Sequence, residues 1–205
     1  VIEIGSNLPA KHASVVLDIL ESVALDEESA YLRERLEETR SNLLSITDFI
    51  YTWQVAGPYS RDNVSLLDHA FAPETDMADQ AEWRTMPQNP DPDQYWYIPL
   101  DTQIGGDNQV VYLRTRVHSP EERDARLELG SDDGIKVWLN GELIHRIDMA
   151  RGVRPGDDIV PVRLRKGWNN LMLKVSNGGG GWGACARFRS ADGGRLGGLE
   201  YRLPE

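Results

Sequence analysis

The spacing of the hydrophobic residues changes near residue 50. Before that point, apolar residues recur at intervals of three and four, which is the period of an amphipathic helix. The first run consists of Val15, Val16, Ile19, Leu20 and Val23, and a looser run consists of Leu32, Leu36, Leu43 and Leu44. Asp26, Glu28 and Ser29 between the runs suit a turn and a new helix N-terminus. The pattern predicts two helices, over roughly residues 10–24 and 27–48, joined by a short turn.

After residue 50 the period falls to two, as in half-buried strands. The segment "QVVYLRTRVH" alternates in this way, and Asn140-Gly141 separates two alternating runs, which is a strong signal for a tight hairpin. A further turn is predicted at Lys166-Gly167, and residues 72–94 form a long acidic excursion on the surface. About eight or nine short strands of this kind are typical of an antiparallel sandwich. The sequence therefore predicts a mainly β fold: a jelly-roll-like antiparallel β-sandwich over residues 51–205, preceded by a helical hairpin segment over residues 1–50.

Composition narrows the class of protein. The 205-residue chain is 40% hydrophobic and 27% charged, as in ordinary globular proteins, and its formal net charge is −11. Such a charge argues against nucleic acid and anionic membrane surfaces as partners, because both require basic patches. No run approaches the roughly 20 apolar residues that span a bilayer. The single Cys185 excludes an internal disulfide and a cysteine metal cluster.

The stretch "VSNGGGGWGAC" contains four consecutive glycines beside a tryptophan. Gly178, Gly180 and Gly183 match the dinucleotide-binding pattern G-x-G-x-x-G, but that motif requires a following helix. Here "ACARFRS" follows and alternates like a strand, so nucleotide binding is not expected. The sequence also lacks H-E-x-x-H, G-x-S-x-G and P-loop motifs, and its four histidines show no ligand spacing. We therefore expect no enzymatic activity.

Two longer motifs, "SDDGIKVWLNGELI" and "VRLRKGWNNLMLKVSNGGGGWG", resemble the anthrax protective-antigen domain family. This family of β-sandwich modules is common in bacterial glycosidases and in yeast adhesins. The resemblance covers roughly residues 50–205. The segment before residue 50 lies outside it and is similar to the end of a helical-repeat array.

The resemblance implies a calcium-dependent sugar site. In the sugar-binding members, two adjacent aspartates joined by a cis peptide hold a calcium ion together with a loop asparagine and backbone carbonyls. By position these are Asp132, Asp133 and Asn177, with carbonyls from the stretch Gly179 to Trp182 (Gly179, Gly180, Gly181 and Trp182). Calcium prefers six to eight oxygen ligands, and glycines can turn several carbonyls toward one point. Trp182 would stack on a sugar face. The alternative is that the Asp-Asp-Gly turn is purely structural and that Trp182 packs on the sandwich.

Two functions follow. The first is a non-catalytic carbohydrate-binding accessory module of a larger bacterial protein, with a polysaccharide or oligosaccharide as partner. The second is a structural interaction domain that packs against neighbouring domains of the same chain without binding a glycan. The resemblance implies secretion or a place in the cell envelope, although the sequence carries no signal peptide.

Overall fold

The computed structural model describes residues 15–20, 30–91, 94 and 96–205. Its helices are α1 (within residues 15–20), α2 (Ala30–Ser45) and α3 (Leu100–Gln103), with 3₁₀ turns at Ala72–Glu74 and Ala78–Gln80. The strands are β1 (Gln54–Tyr59), β2 (Trp83–Thr85), β3 (Ile98–Pro99), β4 (Gln109–Ser119), β5 (Arg123–Asp132), β6 (Ile135–Leu139), β7 (Glu142–Ile147), β8 (Asp158–Leu164), β9 (Gly167–Asn177), β10 (Gly183–Ser190) and β11 (Glu200–Arg202). The predicted mainly β class with N-terminal helices is confirmed. The outer parts of the predicted helices, residues 10–14 and 21–29, lie outside the described residues.

The strands form two antiparallel sheets. A seven-stranded sheet has the order β2-β1-β4-β9-β6-β7, with β11 also paired to β4, and a four-stranded sheet has the order β3-β10-β5-β8. Alternate residues of each strand point inward, so Val111 and Leu113 of β4 join Leu127 and Leu129 of β5 in one buried core. No described helix is long and apolar enough to cross a membrane.

The predicted hairpin turn at Asn140-Gly141 is present between β6 and β7. Asn140 has φ 54° and Gly141 has φ 85°, so both central residues adopt the left-handed conformation that a tight hairpin turn requires. The turn keeps β7 beside β6, which pairs on its other edge with β9, and the end of β5 reaches β6 through only two residues, Asp133 and Gly134. This short connection fixes the position of the aspartate pair.

Helix α2 ends against the outer face of the four-stranded sheet. The buried Arg187 guanidinium on β10 donates to the carbonyls of Leu44 and Ser45 at 2.8 and 3.0 Å. Arg189, which is also buried, donates to the carbonyl of Thr47 at 3.1 Å. Cations at a helix C-terminus satisfy its unpaired carbonyls and interact favourably with its dipole. The end of the helix is therefore fixed to the sandwich, while the predicted division of the chain at residue 50 stays a prediction.

Part of the acidic excursion covers one half of the outer face of the seven-stranded sheet. Its β2 strand pairs with β1, and its first 3₁₀ turn is anchored by Lys174 of β9. The ammonium group of Lys174 is fully buried and donates to Glu74 at 2.7 Å and to the carbonyl of Leu67 at 2.9 Å. A buried charge must be paired and hydrogen-bonded, and Lys174 meets both conditions.

Candidate functional site

The aspartate pair lies at one end of the sandwich, where β5 ends. Asp132 is the last residue of β5, and the peptide bond between Asp132 and Asp133 is cis, as the resemblance implies. The Asp133 backbone amide donates to the carbonyl of Ser176 at 2.8 Å, and the Ser131 hydroxyl donates to the carbonyl of Asp133 at 2.7 Å. The backbone on both sides of the pair is thus held by hydrogen bonds to β9 and to its own strand.

The glycine loop, residues 178–181, follows β9 and lies directly beside the pair. All four glycines are exposed. The Gly178 amide donates to Oδ2 of Asp133 at 2.8 Å. Oδ2 of Asp132 lies 2.7 Å from the point that a Cβ would occupy on Gly181, so a side chain there would collide with the carboxylate. A larger residue at this position would have to displace the Asp132 carboxylate.

Asn177 and Asp107 complete the surroundings of the loop. Asn177 is buried, accepts a hydrogen bond from the Gly179 amide at 2.9 Å and donates to the carbonyl of Gly106 at 2.7 Å. Oδ1 of Asp107 accepts from the Gly180 amide at 3.4 Å, and the Asp107 carboxylate also lies beside Gly179. Sequence reasoning missed Asp107, which no motif marks. The structure therefore brings together Asp132, Asp133, Asn177 and the predicted glycines, and it adds a third aspartate.

Negative charge accumulates at Asp132. Burial raises the pKa of its carboxyl to about 6, and the adjacent Asp133 and the charge of Asp101 contribute to the rise. Two neighbouring carboxylates repel each other when both are ionised. No described arginine or lysine pairs with Asp132. A cation at this point would relieve the repulsion.

Trp182 does not occupy the place predicted for it. Its ring is 0% exposed and belongs to the main hydrophobic core, so neither face is free to stack on a sugar. Burial of a large aromatic ring is strongly favourable. Holding the ring in water would forgo this gain and would also require four flexible glycines to be ordered, which costs conformational entropy. The Trp182 carbonyl is also occupied, because the Tyr97 hydroxyl donates to it at 3.0 Å and the Asp101 amide at 2.8 Å. The expectation that Trp182 contacts the ligand, through its ring or its carbonyl, is wrong, and Trp182 instead anchors the end of the glycine loop.

A second group of residues supports Asp133 from the other side. The Arg151 amide donates to Oδ1 of Asp133 at 3.2 Å, and the Arg151 guanidinium donates to the Ser131 hydroxyl at 2.8 Å and to Asp158 at 2.9 Å. Burial alone would raise the pKa of Asp158, but the hydrogen bond and charge of Arg151, together with His145, lower it. Asp158 therefore stays ionised and holds the Arg151 loop against the pair. The sequence gives no signal for this contact beyond the acidic dipeptide at residues 157–158.

The oxygen atoms around the pair are of the types that an oxygen-preferring cation accepts, and they come from the backbone as well as from side chains. The described residues contain no group of three or more His, Cys, Asp or Glu side chains placed to hold a metal ion. However, no donor in the described ranges reaches the carbonyl oxygens of Gly179, Gly180 or Gly181. These free carbonyls, with Asp132 and the remaining lone pairs of Asp133 and Asn177, are the mixed oxygen ligands that Ca²⁺ accepts.

Comparison with known proteins gives structural likenesses only. No protein-family model matches the chain, and no curated protein matches it. Among solved structures, the PA14 domain of the antifreeze protein MpAFP is 14% identical with a TM-score of 0.38, covering 47% of this chain and 53% of that one. A β-glucosidase from Kluyveromyces marxianus is 17% identical with a TM-score of 0.43, covering 67% and 14%. An anti-sigma factor domain-containing protein from Clostridium clariflavum is 18% identical with a TM-score of 0.36, covering 45% and 31%. The chain thus spans about half of the first of these proteins and less than a third of the other two, and only the chemistry of the site bears on function.

Proposed function

We propose that this protein is a non-catalytic carbohydrate-binding module whose glycan site depends on calcium. The observation that carries the proposal is the Asp132 carboxylate, which faces Asp133 without a cationic partner and lies against an exposed loop of free glycine carbonyls. A solvent-accessible acidic end with open carbonyl oxygens suits a hard cation. A cation held there keeps part of its coordination shell toward solvent.

Each residue would have a distinct part in such a site. Asp132 and Asp133 would supply carboxylate oxygens, Asn177 its amide oxygen, and Gly179 to Gly181 their carbonyls. When bound, the ion would supply a positive charge that the hydroxyl oxygens of a sugar can coordinate. Asp107 lies at the margin of the loop, where its carboxylate can accept hydrogen bonds from sugar hydroxyls. The exposed glycines leave room for a pyranose ring to approach the ion.

The proposal extends to partners and location. The glycan would be a polysaccharide or oligosaccharide, and the module would belong to a larger protein whose other domains act on or attach to that glycan. A place outside the cell or in the cell envelope follows from the resemblance noted in the sequence and from the calcium that such compartments provide.

One observation favours a second candidate, a structural interaction domain. Arg187 and Arg189 fix the end of α2 to the sandwich, and Leu17 of α1 and Leu43 of α2 are both buried in a cluster of their own. The sandwich would then connect a helical segment to a neighbouring domain, and the Asp132-Asp133 turn would have no ligand. The two functions are compatible only if packing against a neighbouring domain leaves the glycine loop exposed to solvent.

A glycan array in calcium and in chelator tests the proposal. We expect binding to at least one glycan in calcium, loss of that binding in chelator, and loss in the double variant Asp132→Asn, Asp133→Asn. The matched control is Asp76→Asn with Asp79→Asn, which removes two exposed aspartates from the excursion and should bind like the unmodified protein. Binding of neutral glycans that is indifferent to calcium and to the aspartate pair would contradict the calcium-dependent site. No binding under any condition would favour the interaction domain.

A further inference from the structure

A row of arginines lies on the outer face of the seven-stranded sheet, beside Trp168 of β9 and bordered by Trp83 of the excursion. We call it the arginine face and define it by Arg114, Arg116, Arg202, Trp83 and Trp168. Arg114 and Arg116 are half-buried on β4, and Arg202 is exposed on β11. Residues two apart on one strand share a face and lie roughly 6.6–6.8 Å apart, so Arg114 and Arg116 follow each other along the sheet. The row was not predicted from the sequence, because its members come from four separate strands.

The arginine face contains an unfavourable pair of like charges. Arg202 of β11 is the direct cross-strand partner of Arg116 of β4. Like charges placed directly opposite each other destabilise a sheet. The Trp168 ring offsets part of this cost, since the guanidinium carbons of Arg202 and Arg116 lie 4.0 and 5.3 Å from its centroid.

No carboxylate of the described residues forms an ion pair with these arginines. Arg114 donates to the Gln54 side chain at 2.8 Å and stacks over Trp83 at 4.1 Å. Nε of Arg116 is buried without a hydrogen-bond partner in the described part of the chain. Glu200 lies on the same face, opposite His118, but is paired with none of the three. Other described arginines do pair with acids, such as Arg126, Arg146, Arg151, Arg163, Arg187, Arg189 and Arg195, whereas Arg84 and Arg123 donate to backbone carbonyls instead.

Unpaired cations in a chain with a net charge of −11 point to an external anion. The overall charge does not forbid this, because charges more than about 8–10 Å away are largely screened at physiological salt. A guanidinium that stacks on an aromatic ring keeps its N–H edge free for bidentate contact with a carboxylate. The row along β4 matches a linear partner with repeated carboxylates.

We infer that the arginine face is a second, calcium-independent binding surface for an acidic polysaccharide that carries uronate carboxylates. The choice of a glycan over an acidic peptide rests on the proposed carbohydrate-binding function. The site is separate from the glycine loop, which follows the opposite end of β9: Trp168 is the second residue of that strand, and the loop comes after its last residue, Asn177.

Titration with oligogalacturonate in chelator tests this surface without the proposed calcium site. The unmodified protein should bind, and the affinity should fall steeply with added salt. Arg202→Gln should weaken binding about threefold and Arg116→Gln with Arg202→Gln about tenfold or more. The exposed single variant keeps the test valid if the double variant does not fold. Arg35→Gln with Arg163→Gln removes two charges from arginines that already have acidic partners and should bind normally.

Three results would overturn the inference: no binding by the unmodified protein, equal binding by all variants, or equally tight binding of an oligoglutamate of the same length. The last result would make the face a surface for acidic peptides. A neutral oligogalactose of the same length should bind at least tenfold more weakly than oligogalacturonate in chelator. Because neutral glycans on the array report on the glycine loop and oligogalacturonate in chelator reports on the arginine face, failure of either site is seen independently of the other.

Discussion

Oδ2 of Asp133 accepts a hydrogen bond from the backbone amide of Gly178 at 2.8 Å, across 45 residues of sequence. This contact makes the end of β5 and the loop after β9 parts of one site. On the other side, Oδ1 of Asp133 accepts from the Arg151 amide at 3.2 Å. With both oxygens held, Asp133 is the fixed member of the pair, and Asp132 is the member whose carboxylate stays open.

Replacing Trp182 should reduce stability strongly. Trp182→Ala removes a fully buried ring from the core, and such truncations cost about 3–5 kcal/mol. Urea denaturation measures the loss. Trp138→Ala, at a half-buried position on β6, is the matched control and should cost clearly less. A loss below about 1 kcal/mol for Trp182→Ala would mean that the ring is not a core residue.

Arg189 should fix the end of α2 to the sandwich. Arg189→Met keeps the length of the side chain but leaves the Thr47 carbonyl and the Asp48 carboxylate with only their longer contacts from Arg187 at 3.3 Å and Arg195 at 3.4 Å. Removing one partner of a buried pair costs about 3–5 kcal/mol. Hydrogen exchange should also become faster in the last turn of α2. The exposed Arg163→Met should cost at most about 1 kcal/mol, and unchanged exchange in α2 for Arg189→Met would contradict the docking.

The Asp132 carboxyl should make calcium-free stability depend on pH. Its pKa is raised to about 6 in the folded state, so the folded protein holds this proton more tightly than the unfolded chain does. The resulting stabilisation is present below about pH 4, the unfolded pKa, and is lost as the pH rises through about 6. In chelator at pH 7, Asp132→Asn should therefore be more stable than the unmodified protein by about 1 kcal/mol, after allowance for partial exposure.

Urea denaturation from pH 4 to pH 7 in chelator measures this difference. The gap in unfolding free energy between Asp132→Asn and the unmodified protein should grow over that range. The exposed Asp76→Asn is the control and should show no such growth. If the difference in unfolding free energy shrinks as the pH rises, folding lowers the pKa of Asp132 instead of raising it, which would contradict the described environment of Asp132.

The sequence pattern predicted the fold well for features that depend only on residues close together in the chain. The alternation in β4 and the two positive φ angles at Asn140-Gly141 depend only on neighbouring residues, and both are confirmed. The short strands β2 and β3 were missed because two or three residues carry no readable period, and they pair only through tertiary contacts.

The site could be predicted only in part. The resemblance supplied Asp132, Asp133 and Asn177, which the fold brings together. It gave the wrong place for Trp182, because exposure depends on how the loop end packs against Tyr97 and α3, and the sequence does not contain that information. Asp107 and Arg151 were missed for the same reason: each reaches the site from a separate loop.

Calcium titration tests the central claim most directly. Calorimetry and thermal melts should show that calcium binds the unmodified protein and raises its melting temperature, since saturation at a hundredfold the dissociation constant stabilises by about 2.7 kcal/mol. Asp132→Asn with Asp133→Asn should show neither effect, while Asp76→Asn with Asp79→Asn should show both. A melting temperature of the unmodified protein that is indifferent to calcium and to chelator would contradict the calcium site and leave the aspartate pair as a structural turn.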